Sequence, residues 1–247
     1  MAVKNETECL QSKKVLVIIP AYNEAKNLPV VIKEVQEKNP YVDILIVDDG
    51  STDSTYDVVK KIKVKVIRLP FNTRIGCAVQ TALKYALEKN YDIAIQVDAD
   101  GQHDPAYIST VIKPIIERKA NIVIGSRFYN KKATGVGFTR KIGIKYFSWL
   151  VRKMTGQKVT DCSSGFRALD REAIRFFAKN YPFDFPDAEA LIMAHYAGLK
   201  ISEVFVKFRR RKMGKSSLNV LRFIYYPIKE MLAIIFLRFR KKTSRGE

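Results

Sequence analysis

Two aspartates, Asp98 and Asp100, close an apolar run (Ile93, Ala94, Ile95) within the stretch VDADGQHDP, residues 97–105. In extended backbone, residues two apart point the same way, so the two carboxylates converge and Gln102 follows on the same side. Two carboxylates and an amide oxygen form a hard, oxygen-only, incomplete shell. That suits Mg2+ or Mn2+, which fill their remaining positions with water and substrate phosphates. A calcium loop of the EF-hand kind needs a carboxylate where Gln102 stands and a glutamate where Ser109 stands, so that reading fails. The third carboxylate, Asp104, precedes Pro105 and reads as a helix cap. His103 could ligate as well, but reads rather as an acceptor-side or structural residue.

A divalent ion with so few protein ligands implies a diphosphate, yet no phosphate-cradling loop is present. Gly214-Lys215-Ser216 lacks the earlier glycine, since position 209 is arginine, and no GxGxxG follows the first apolar run. The nucleotide must be held otherwise. Candidates are PAYNE (20–24), DDGSTD (48–53) with its pair Asp48 and Asp49, and Ser126-Arg127. Each follows a β-branched run. Acidic and polar loops gathered at one sheet edge repel each other unless they share a charged ligand. Asp53, like Asp104, reads as an N-cap.

The elements that must position these loops alternate. Strands are expected at VLVII (15–19), ILIV (44–47), VKVIR (64–68), IAIQV (93–97) and IVIG (122–125). Helices are expected from Asn27-Pro29 to about Lys38, after Asp53, over IGCAVQTALKYALEKN and after Asp104-Pro105. Strands alternating with helices predict an α/β, doubly wound and mostly parallel sheet, with ligands beyond the carboxyl ends of its strands. The later half is less regular: a short apolar segment IGIKYFSWLV (142–151), then FRAL, DREAIRFFAKN, PDAEALIMAHYAG and ISEVFV. Past Val206 the composition turns basic.

Taken together, PAYNE, VDDGSTD, DADGQH, IGSRF and DCSSGFRALDREAI, in that order over roughly residues 14 to 217, resemble the inverting family-2 glycosyltransferases of the GT-A, Rossmann-like fold. They are most similar to the dolichyl- and undecaprenyl-phosphate sugar synthase branch. The resemblance implies that Pro20, Tyr22, Glu24, Asp48, Asp49, Gly76, Asp98 and Arg211 line the nucleotide-sugar site. It implies that Asp98, Asp100 and Gln102 hold Mg2+ or Mn2+, and that Arg127 and Arg140 meet the acceptor or donor phosphate. Planar guanidinium groups suit phosphate oxygens bidentately. Related sequences carry glycines where FNTRIGCAVQTA has Arg74 and Cys77, which marks Arg74 as an added phosphate contact.

Inverting transfer needs a positioned sugar carbon, a stabilised leaving diphosphate and a competent nucleophile. Metal and arginines supply the second. A sugar hydroxyl wants a general base, for which FPDAEAL offers Asp187 or Glu189; their other reading is as carboxylates favoured at a helix N-terminus. A polyprenyl phosphate is already ionised and needs only positioning. The catalytic set is thus Asp100, Arg127, Asp187 and Glu189. The expected reaction is metal-dependent sugar transfer from a nucleotide-diphosphate donor to polyprenyl phosphate. The alternative is transfer to a sugar hydroxyl in cell-wall or capsular polysaccharide synthesis. A sugar-1-phosphate nucleotidyltransferase would show a glycine-rich basic first loop, and a non-enzymatic basic binder would be indifferent to EDTA.

Composition agrees with a lipid acceptor. The net charge of +19, from 44 Lys+Arg against 25 Asp+Glu, implies an anionic partner. Lipid phosphate, an anionic leaflet and a sugar nucleotide account for it without nucleic acid. Cys9, Cys77 and Cys162 are scattered and read as reduced thiols, and the polar N-terminus with Glu6 and Glu8 is no signal peptide. The expected location is cytoplasmic, peripheral at the inner face of the cell membrane. Leu218 to Phe239 is apolar but interrupted by Arg222, Pro227, Lys229, Glu230 and Arg238. Each charge near a helix centre would cost about 2.5–3.5 kcal/mol to insert, so this segment is expected to lie on a membrane, not to cross it. Helix 142–151, with Trp149, is a second interfacial candidate. A separate membrane protein would then handle the flipped product. The division expected is a polar tail over 1–13, the catalytic domain over 14–211 and a basic amphipathic segment over 212–247.

Overall fold

Strands covered by helices on both faces are apolar at every position, without alternation, and β1 (Val15–Ala21) is buried throughout. The computed structural model describes residues 13–129, 137–183, 186–209 and 231–232. β2 (Val42–Asp48), β3 (Lys65–Arg68), β4 (Ile93–Gln96), β5 (Ile122–Ser126), β6 (Arg167–Asp170) and β7 (Ile201–Phe205) complete a sheet of order β3-β2-β1-β4-β6-β5-β7. Pairing is parallel from β3 through β4 and between β5 and β7. β6 runs antiparallel to both of its neighbours, a reversal with no local sequence signal.

The two faces of β1 divide the core. Val15, Val17 and Ile19 pack with Leu28 and Ile32 of α1 (Leu28–Lys38), Val59 of α2 (Thr55–Ile62) and Ile108 and Ile112 of α4 (Ile108–Ile116). Leu16 and Ile18 pack with Val79 and Leu83 of α3 (Ile75–Glu88) and Ile174 and Phe177 of α6 (Arg171–Asn180). This is the doubly wound, mostly parallel α/β arrangement expected. A third cluster joins Phe147 and Val151 of α5 (Phe138–Thr155) to Leu191 and Ile192 of α7 (Ala188–Tyr196).

Local readings differ in two places. α5 is longer than the segment 142–151, ending at Gly156 in the left-handed region. It is also two-sided: Ile144, Phe147 and Val151 are buried, whereas Ile142, Tyr146 and Trp149 are exposed. Asp53 does not cap α2. The N-cap is Ser54, and Asp53 Oδ1 instead accepts from the Thr55 amide at 2.9 Å in a local turn. Asp104 does cap, accepting from Ala106 N–H at 3.0 Å at a single 3-10 turn, Pro105–Tyr107, before α4. Among the described residues no helix is long and apolar enough to cross a membrane. The segment 212–247 lies outside the described residues except for Met231 and Leu232, which are helical.

Candidate active site

The loops after β1 and β2 are sewn together by side-chain to backbone bonds. Asn23, in the left-handed conformation that asparagine tolerates, donates its N–H to Ser51 Oγ at 2.9 Å, and its Oδ1 accepts from Thr52 N–H at 2.9 Å. Glu24 N–H donates to Thr55 Oγ1 at 2.9 Å. Gly50 (φ +67°) is required twice over: a Cβ there would lie 2.5 Å from the Phe71 carbonyl carbon. Asp48 and Asp49 are buried. Asp48 Oδ1 accepts from Ser51 N–H at 3.0 Å, while its Oδ2 has no hydrogen bond and Arg68 Nε lies 3.4 Å away. Asp49 Oδ1 takes both the N–H and the hydroxyl of Thr73 at 2.7 Å. Pro20 is buried beneath this edge and Tyr22 is exposed above it. Gly76 packs against backbone: a Cβ would sit 2.1 Å from the Phe183 carbonyl oxygen.

Beyond β4 the carboxylates meet a different set of partners. Asp98 Oδ1 accepts from Gln96 Nε2 at 3.0 Å, and its backbone N–H donates to His103 Nδ1 at 3.0 Å. His103 Nε2 lies 3.4 Å from Asp98 Oδ2. Asp100 Oδ1 accepts from Gln102 N–H at 3.0 Å and Oδ2 from Gln102 Nε2 at 2.6 Å. The Gln102 side chain therefore turns its nitrogen to Asp100, not its oxygen to a shared ion. Gly165 faces this pair: a Cβ would lie 3.1 and 3.3 Å from the Asp98 oxygens and 2.9 Å from Gln96 Nε2. Burial pushes His103 below its ordinary pKa, so the ring is neutral at pH 7.

Can these residues hold a divalent cation? Asp98 keeps 36% of its side chain exposed and, among the described residues, no lysine or arginine pairs with it. Its hydrogen-bonding side-chain partner Gln96 is neutral, and Arg127 feels its charge without pairing with it. No three His, Cys, Asp or Glu side chains among the described residues form a self-sufficient cage. The donor set thus fits an ion that takes its remaining ligands from a substrate.

Arg127 is less open than the sequence suggested. It is buried, with Nε 2.7 Å from Asp161 Oδ2, Nη2 2.8 Å from Oδ1 and Nη2 2.9 Å from Ser163 Oγ. Burial alone would lower its pKa; Asp161 outweighs that and raises it. Asp161 N–H in turn donates to Glu203 Oε1 at 2.9 Å, and Thr160 N–H and hydroxyl donate to the same carboxylate. Burial holds Glu203 above the usual carboxylate range despite those bonds. Arg167 ties two loops together, Nε to Ser164 O at 2.8 Å and Nη2 to Asp187 O at 3.1 Å. Asp187 is the N-cap residue of α7 without a side-chain cap bond, and burial raises the pKa of Glu189 in the same first turn. Arg140 has no described side chain and Arg211 lies outside the described residues. Arg209, two residues before Arg211 in the chain, is docked: its N–H donates to Gln102 O at 2.8 Å and Nη2 lies 2.7 Å from Asp104 Oδ1.

Sequence reasoning missed Asp161, Gly165, Arg167 and Glu203. A signal existed for one of them: Glu203 is a lone acid in the apolar strand ISEVFV, and a buried acid demands partners. A wider cleft, about 470 Å3, opens at the opposite end of the sheet beside Lys13, Arg118, Arg171 and Arg175. The carboxylates lining it are taken up by structure: Asp92 by Lys14 N–H, Asp170 by Ala173 N–H and Asn121, and Glu172 by Asn121. Size there does not mark chemistry.

The sequence profile described as "Glycosyl transferase family 2" matches residues 16–177. The chain is 38% identical over 221 residues to the UDP-N-acetylglucosamine--dolichyl-phosphate N-acetylglucosaminyltransferase of Methanococcus voltae, across 80% of this chain and 86% of that one. It is 29% identical over 221 residues to the undecaprenyl-phosphate mannosyltransferase of Micrococcus luteus, across 83% and 88%. Among solved structures, glucosyl-3-phosphoglycerate synthase from Mycobacterium tuberculosis, in complex with Mn2+, UDP and phosphoglyceric acid, superposes with a TM-score of 0.69 at 18% identity. That match covers 86% of this chain and 75% of the other and is a likeness of fold. The fold is GT-A, as the ordered motifs implied.

Proposed function

The chain belongs to glycosyl transferase family 2 and is a glycosyltransferase, and on that footing we propose that it moves a sugar from a nucleotide-diphosphate donor to a polyprenyl phosphate. One observation carries the reading: Asp98 and Asp100 stand two residues apart at the carboxyl end of β4, both partly exposed, Asp98 braced by Gln96 and Asp100 by Gln102. Asp98 and Asp100 would hold Mg2+ or Mn2+, with the Gln102 oxygen available only after its side chain turns. The ion would neutralise the charge that develops on the leaving diphosphate. The relatives named for dolichyl and undecaprenyl phosphate support the acceptor, and the named UDP-sugar and the UDP-bound neighbour support the donor class.

The protein's own groups do the rest. The sewn loops at Pro20–Glu24 and Asp48–Asp53 hold a rigid edge for the nucleotide, with Tyr22 exposed to stack. Asp49 fixes the 70s loop, from which Gly76 opens α3. Arg127, locked to Asp161, offers its guanidinium at the phosphate side, with Arg140 and Arg211 as further candidates for the same role. An ionised phosphate needs no proton removed, so Asp187 and Glu189 act by shaping the acceptor side. The exposed face of α5 (Ile142, Tyr146, Trp149) and the segment 212–247 would rest on the anionic membrane surface, at its cytoplasmic side.

The test is direct. Purified protein is incubated with Mn2+, undecaprenyl or dolichyl phosphate and a panel of UDP-, GDP- and dTDP-sugars. A labelled glycolipid is the expected product. Sugar appearing only on a glycan hydroxyl, with loss of rate in Glu189→Gln or Asp187→Asn, overturns the acceptor.

A further inference from the structure

The loop DADGQH contains one polar side chain to which the proposed chemistry gives no role, His103. The ring is buried, with 1% of its surface exposed. Its Nδ1 accepts the Asp98 backbone N–H at 3.0 Å, which assigns the ring proton to Nε2. That Nε2 faces Asp98 Oδ2 at 3.4 Å, longer than a hydrogen bond but close enough for the N–H dipole to orient a carboxylate. One imidazole therefore addresses both the main chain and the charge of the same residue. The ring is fixed in turn, stacked on Phe166 at 4.8 Å and 12° and met edge-on by Phe208 at 4.8 Å and 72°. On the other oxygen, Gln96 Nε2 donates at 3.0 Å. Each oxygen of Asp98 thus has its own neutral N–H neighbour, and Gly165 keeps the remaining side clear.

We propose that His103 is a positioning residue, which sets the plane of the Asp98 carboxylate for a divalent cation. The inference rests on the reading of Asp98 and Asp100 as metal ligands. A ring wanted only for packing between Phe166 and Phe208 would be apolar, because burying two ring nitrogens is unfavourable unless both are used. Here both face one residue. Neutral donors behind a ligating group fix its orientation without cancelling its charge, and losing one typically weakens metal binding about 10–100-fold. Phe208 extends the arrangement, since its face lies 4.7 Å from the Arg127 guanidinium carbon. One phenyl ring therefore braces both the metal-side imidazole and the phosphate-side arginine.

The test measures Mn2+ affinity by titration calorimetry on the full chain, with Mn2+ alone and with Mn2+ plus UDP. His103→Asn keeps an acceptor near Nδ1 and removes the group at Nε2, so loop anchoring survives and carboxylate orientation does not. Its Kd for Mn2+ should rise about tenfold or more. His103→Gln, which returns an amide to the Nε2 position, should recover most of the affinity. In an Asp98→Asn background, His103→Asn should have no further effect. Wild-type affinity in His103→Asn, or the same loss with and without Asp98, overturns the proposal while leaving the metal reading intact. If the wild-type protein ignores Mn2+, or Asp98→Asn binds it equally well, the metal reading falls and the proposal with it. Should His103→Asn fail to fold, Phe208→Leu loosens the ring without removing it, and an unchanged Kd there overturns the proposal equally.

Discussion

The acidic pairs Asp48–Asp49 and Asp98–Asp100 leave parallel strands at the same edge of one sheet, and their surroundings differ. The first pair is buried; Asp48 binds the Ser51 amide, and Asp49 takes the Thr73 amide and hydroxyl. Those bonds close turns and pin one loop to another. The second pair is partly exposed, braced by Gln96, Gln102 and His103, and Gly165 leaves space in front of it. A buried carboxylate that closes turns shapes the chain. A carboxylate held at the sheet edge by its own loop and left partly exposed is prepared for a ligand. Composition alone does not separate the two.

Four substitutions sharpen or break that contrast. The largest effect is expected for Asp100→Asn: sugar transfer should fall on the order of a thousandfold, as several kcal/mol of charge stabilisation are lost, with the urea midpoint unmoved. Retained activity in EDTA and in this variant would place the second pair with the first. Asp49→Ala should behave in the opposite manner, losing about 2 kcal/mol of unfolding free energy because two Thr73 donors lose their acceptor; urea denaturation reads it. Gly165→Ala comes next. The added methyl meets the flexible end of Gln96 first, so stability should hold while Mn2+ affinity drops about tenfold. A melting point lowered as far as in Asp49→Ala would make Gly165 a packing residue only.

The smallest effect concerns acid. Burial alone would raise Asp104, but the Ala106 amide, Lys38 and Arg209 outweigh it and hold the carboxyl below its usual value. A depressed folded-state pKa adds stability that is present above the unfolded value, about 3.9, and is lost as pH falls through the folded one. Asp104→Asn should therefore be slightly less stable at neutral pH and show a shallower acid limb below about pH 4. An acid limb identical to wild type would mean that the bonds of Asp104 to the Ala106 amide, Lys38 and Arg209 together contribute nothing to acid stability.

Much of this was legible in the residues. Runs such as VLVII are apolar at every position because both faces are covered, and Asp98 and Asp100 sit two apart at such a run's end. What stayed hidden depends on pairs far apart in the chain. Nothing local tells that Arg127 meets Asp161, that FRAL runs against its neighbours, or that Gly76 serves the approach of Phe183. Asp53 misled for a related reason. An aspartate before a helix can cap it or close its own turn, and the choice depends on one residue of register. The donor motifs are dense local signals, whereas the network of Arg127, Asp161 and Glu203 is assembled by the sheet.

The reversal of β6 has a consequence for how such a chain can be rebuilt. The polypeptide leaves the sheet after Ser126 and returns at Arg167, and the pair Ile124–Arg167 puts the two junctions on neighbouring rungs. Everything between is a cassette with both ends at one edge. A graft spliced at 126 and 167 would keep every parallel rung of β1 to β4 in register, provided it brings its own counterparts of Arg127 and Asp161 to meet Glu203.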